Sequence, residues 1–161
     1  MTLLRLIFSL LFALLLTIIP FPEVLQWCMP DWCLLALFAW YMAKPGFLSI
    51  WVAWVLGIAL DGLTGSLLSL HALAFCLTFY VLSLFSQRIR LFPMPQQMVV
   101  VGGLALFNIV ILLCTQALFS ASDVSWHRLY SVFSTALCWP VALFLVTKML
   151  YRRPRKQWGA W

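Results

Sequence analysis

The residues able to do chemistry are few. The chain holds four acidic side chains (Glu23, Asp31, Asp61 and Asp123) and two histidines. The densest polar stretch is Gly57-Ile-Ala-Leu-Asp61-Gly-Leu-Thr64-Gly65-Ser66. Gly57 and Asp61 are four apart, so on a helix they share a face, and a glycine there lets another backbone approach closely. A carboxylate placed at depth in a membrane costs about 2.5–3.5 kcal/mol on insertion scales. Asp61 therefore needs water, a cation or the amides of a helix N-terminus. Thr64 or Ser66 can cap the next helix, turning its amides toward Asp61. His71 follows one to two turns into that helix. Two readings stand. One is a capped outer turn with a histidine bonded to a backbone carbonyl. The other is a wall of an outer-facing cavity or of a partner-binding groove, shaped by Gly57, Asp61 and Gly65, with Asp61 and His71 as a proton or ligand site. There is no Cys/His spacing for zinc, and no nucleophile elbow, H-E-x-x-H, P-loop or acid cluster. The expectation is no enzyme, no cofactor and no metal.

The elements that must position these residues are apolar. Of 161 residues, 65% are hydrophobic and 9% charged, with a mean hydropathy of +1.06. A soluble domain averages about a quarter charged residues, and it needs a polar skin that this chain cannot supply. Apolar runs cover 6–19, 32–43, 47–60, 67–85, 98–119 and 129–150. The last three approach the ~20 residues that cross a bilayer as a helix. None alternates as a membrane barrel strand does. The first run has no small-residue cleavage pattern behind it and reads as a retained helix. The reading is an all-α polytopic membrane protein of six transmembrane helices over 1–151, with a basic cytoplasmic tail over 152–161.

The span count turns on Lys44-Pro45-Gly46, which joins the second and third runs. Pro-Gly is strong turn chemistry. With six spans and the N-terminus inside, every one of the ten basic residues except Arg128 is cytoplasmic, and the acids fall at or near the outer face. A five-span alternative strands Arg5 outside and buries Lys44 mid-span, against the positive-inside rule. Trp27, Trp32 and Trp126 then mark the outer boundary. Trp40, Tyr41, Trp51, Tyr151, Trp158 and Trp161 mark the inner one.

Other features have a packing reading beside a functional one. Pro30-Asp31-Trp32 opens the second span, with Asp31 placed as an N-cap and Trp32 as an interfacial anchor or outer contact. Trp139-Pro140 lies within the sixth span. Proline frees a carbonyl there, which Ser134 or Thr135 is placed to meet, and the kink can shape a groove for a partner helix. Asn108, Thr115 and Gln116 read as interhelical glue. Arg152, Arg153, Arg155 and Lys156 should lie on anionic inner-leaflet lipid, at about 1 kcal/mol each, or on a cytoplasmic partner. No basic stripe or motif points to nucleic acid.

Three segments carry a resemblance to a known family. Met29-Pro-Asp-Trp-Cys-Leu-Leu-Ala-Leu-Phe-Ala-Trp-Tyr41 with Lys44-Pro45 resembles the opening of the second span in the rod shape-determining protein MreD family. The segment from Gly57 through Asp61 and Gly65 to Ala74 is similar to that family's glycine–aspartate–glycine stretch. Leu137-Cys-Trp-Pro140, followed by apolar residues and a basic tail, is similar to its end. Ser69 stands where the family usually has glycine, and Met29 where it usually has arginine.

The resemblance implies a part in the elongation machinery of rod-shaped bacteria, in the cytoplasmic (inner) membrane. It implies partnership with MreC, a bitopic protein. Through MreC it implies links to the MreB filament, the glycosyltransferase RodA and a penicillin-binding transpeptidase. It also implies a fold resembling the substrate-binding component of energy-coupling-factor transporters. Two functions follow: a non-enzymatic scaffold for peptidoglycan synthesis and cell shape, or a small-molecule or lipid binder related to vitamin transporter subunits. The scaffold predicts an apolar groove filled by another helix. The binder predicts a ligand near Asp61 and His71.

Overall fold

The computed structural model describes residues 2–19, 29–44, 46–65, 70–119 and 129–150. Each apolar run becomes one helix: α1 (Thr2–Ile18), α2 (Trp32–Ala43), α3 (Ile50–Thr64), α4 (Leu70–Ile89), α5 (Met94–Phe119) and α6 (Leu129–Leu150). The helix boundaries follow local chemistry. α2 stops at Lys44, held extended at φ −140° because a proline follows it. Gly46 turns at φ +75°. α3 ends on Gly65 in the left-handed conformation, φ +63°, where a side chain would be strained. Pro93 opens α5, its carbonyl accepting from the Gln96 and Gln97 amides.

α4, α5 and α6 are each long and apolar enough to cross a membrane. α1, α3 and above all α2, with 12 residues, are shorter. At 1.5 Å per residue, α2 spans about 18 Å against a hydrocarbon core of about 30 Å. α2 is also apolar all round. Such a helix belongs inside a bundle, and eight of its residues are buried, with Leu34, Leu37, Phe38, Ala39 and Trp40 fully so. The neighbours run α1–α2–α6–α5–α4–α3, with α1 returning against α3 and α2 touching α4. α2 is the inner post of the bundle. The other helices turn apolar side chains outward, among them Phe8, Val99, Phe133 and Phe144.

Three long-range bonds gather the basic residues at one end. Trp40 Nε1 donates to Ser9 Oγ at 2.6 Å, Arg5 Nη1 to the Met149 carbonyl at 2.7 Å, and Arg90 Nη2 to the Tyr41 carbonyl at 2.6 Å. Arg5, Lys44, Arg90 and Lys148 thereby share an end of the bundle, and Asp61 lies at the far end of α3.

Candidate functional site

Gly57, Asp61 and His71 form a clamp between α3 and α4. The face they share on α3 rests on the first turn of α4. A Cβ on Gly57 would lie 2.2 Å from Ala72 Cα and 2.6 Å from Ala72 N. Only glycine admits that approach. One turn further on, Asp61 is fully buried. Its Oδ1 accepts the His71 amide at 3.1 Å and lies 2.7 Å from His71 Nδ1, and its Oδ2 accepts the Ala72 amide at 3.3 Å. The carboxylate thus caps α4 from a neighbouring helix. It meets amides that have no partner within α4, at the end where the helix dipole favours negative charge. The His71 ring packs edge-on to Phe75. Gly65 is exposed, with open space around it. It ends α3 and is not part of this contact. The Thr64 hydroxyl donates back to the Leu60 carbonyl at 2.8 Å.

Asp31 and Trp32 are arranged differently from the sequence expectation. Asp31 holds the N-cap position of α2, and its carbonyl accepts the Leu35 amide. Its side chain makes no capping bond, its backbone (φ −70°, ψ 86°) lying outside the usual cap geometry. The Asp31 amide instead donates to Thr135 Oγ1 at 3.1 Å. That hydroxyl in turn donates to the Ser131 carbonyl at 2.7 Å. Thr135 therefore ties α2 to α6 and does not meet the carbonyl freed by Pro140. Pro30 is half-buried at this entry. The Trp32 indole N–H is buried and finds no partner among the described residues.

Trp139 is fully buried, and its indole donates to Gln97 Oε1 at 3.3 Å, tying α6 to α5. α6 runs on through Pro140. Asn108 is fully buried and accepts a long bond, 3.4 Å, from Thr78. Thr115 bonds back to its own helix at Ile111 and Leu112. The basic residues Arg152, Arg153, Arg155 and Lys156 lie outside the described residues. Among the described residues no group of His, Cys, Asp or Glu is placed to hold a metal.

Sequence reasoning missed Gln97, Ser9 and the bonds of Arg5 and Arg90. Ser9 and Gln97 join residues 31 and 42 positions away, and no local pattern marks such partners. A polar residue inside an apolar run was the available signal for Ser9.

A second feature is apolar. Between α1, α2 and α6 runs a groove of about 320 Å3. Phe8, Phe12, Trp32, Ala36, Ala142 and Leu145 are among its walls. Arg5 lies one turn below Phe8 and Ser9 on the same face of α1, and Met149, whose carbonyl it holds, is the last groove residue on α6.

An all-helical bundle with three membrane-length helices and an apolar exterior is an integral membrane protein. The family model for rod shape-determining protein MreD matches residues 1–149, and the chain belongs to that family. A rod shape-determining protein MreD of Haemophilus influenzae is 29% identical over 140 residues, which cover 85% of this chain and 85% of that protein. No solved structure matches the chain.

Proposed function

We propose that this protein is a non-enzymatic scaffold of the rod-shape machinery. It holds the single membrane helix of an MreC-like bitopic partner and helps position peptidoglycan synthesis. Through that partner it meets an MreB filament, RodA and a penicillin-binding transpeptidase. It sits in the bacterial cytoplasmic (inner) membrane with six spans, both termini inside, and the tail over 152–161 on inner-leaflet lipid.

One observation carries this reading. The polar chemistry that would serve a ligand site is turned inward. Both oxygens of Asp61 accept bonds from α4, and the carboxylate is fully buried. The surfaces left for contact are apolar helix faces, which suit another membrane helix. The gathering of Arg5, Lys44, Arg90 and Lys148 at one end supports the topology, since cytoplasmic ends collect positive charge.

The test is an affinity pull-down of the tagged, detergent-solubilised protein from its native membranes, with mass spectrometry of proteins and small molecules. The expected result is a bitopic MreC-like protein in near-stoichiometric amount. Recovery of the protein alone, with a bound metabolite, overturns the scaffold reading and favours the small-molecule binder.

A further inference from the structure

The groove between α1, α2 and α6 has an apolar lining and a cation at one end, a combination that suits one kind of occupant. On α6 it runs from Cys138 to Met149, roughly 16 Å at the helical rise. An extended hydrocarbon chain fits. The lining is apolar apart from the Ser9 hydroxyl and the Trp32 indole N–H. Ser9 is already engaged, donating to the Leu6 carbonyl and accepting from Trp40.

The two ends differ in charge. At one end Trp32 follows Asp31. At the other, the Arg5 guanidinium bridges α1 to the Met149 carbonyl through one nitrogen, and the exposed Lys148, its ammonium near the Phe144 ring, belongs to the same end of α6. Basic pockets between membrane helices at the cytoplasmic side bind anionic lipid headgroups.

We propose that this groove is a binding site for an anionic phospholipid of the surrounding bilayer. One acyl chain lies in the slot, and the phosphate sits on Arg5. The site does not rest on the partner-helix reading, and the test below separates lipid from a partner helix as the occupant of this groove. It would make the α1–α6 contact complete only when lipid is present.

The test is native mass spectrometry of the full-length protein after detergent exchange, with phosphatidylglycerol or phosphatidylcholine added as the probe. The wild-type protein should retain phosphatidylglycerol over phosphatidylcholine by about fivefold for each cation engaged. Arg5→Gln should reduce that preference about fivefold while leaving acyl-chain retention in place. Ala142→Phe should fill the slot and abolish retention of both lipids. Leu137→Phe, on the outward face of α6, should change neither, and gel filtration with thermal unfolding reports whether each variant folds. Equal retention of both lipids by the wild type, or unchanged retention in folded Ala142→Phe, overturns the site. So does an Ala142→Phe protein that keeps its lipid but loses a co-purifying bitopic protein, which would assign the groove to that protein's helix.

Discussion

The α3–α4 contact and the α1–α6 contact join helices in opposite ways. α3 and α4 meet backbone against backbone at Gly57, and a buried carboxylate stitches the first turn of α4 to α3. α1 and α6 are bridged by the Arg5–Met149 bond at one end and are otherwise parted by an apolar slot. The first contact is complete within the chain. The second leaves room for something else. In a bilayer the hydrophobic effect does not drive helices together, because lipid tails are as apolar as leucine. Close fit and hydrogen bonds must do so, and the clamp has both.

Substitutions can break this contrast, beginning with Gly57. Gly57→Ala drives a Cβ into Ala72 backbone and should cost about 3 kcal/mol, the upper range for overpacking. Thermal unfolding in detergent would read it, and a shift no larger than that of Gly62→Ala, where a Cβ meets open space, would show the clamp to be loose. Asp61→Ala removes the cap and leaves the His71 ring and two amides without it, at about 2 kcal/mol. Asp61→Asn keeps an acceptor and should cost about half as much. The same unfolding assay separates them, and equal losses would mean that charge, not acceptor geometry, holds α4. Smallest of the alanine deletions is Ser9→Ala on the slot side. It leaves the buried Trp40 indole without its acceptor, at about 1 kcal/mol. A loss as large as that of Asp61→Ala would erase the difference between the two contacts.

Much of this was legible from residue order. The six runs became six helices because an uninterrupted apolar stretch in a chain this poor in charge has no other stable form. Lys44-Pro45-Gly46 broke the second run from the third, as the turn chemistry required. The four-residue spacing of Gly57 and Asp61 put them on one face, toward amides at the start of α4. Other features depended on which helices become neighbours, and sequence order hides that. α2 lies against α6, so Thr135 meets the Asp31 amide rather than the carbonyl freed by Pro140. Trp32 lines a slot closed by α6, and Trp139 finds Gln97 on α5. α2, short and apolar all round, is marked as a buried post against the longer α6 with its Ser131, Ser134, Thr135, Thr147 and Lys148, but which helices cover it is hidden in residue order.

The burial of α2 has a consequence for how the protein is made. A chain is synthesised from its N-terminus, and α2 leaves the ribosome second, yet one of its main neighbours is α6, the last helix to emerge. Until then α2 is a segment of about 18 Å with no wall on that side, too short to bridge the bilayer comfortably. The newborn protein must hold a half-sheltered helix through nearly its whole translation, and it closes over that helix only at the end. Chains that stop before α6 expose this core, a state that cellular proteases can recognise and remove.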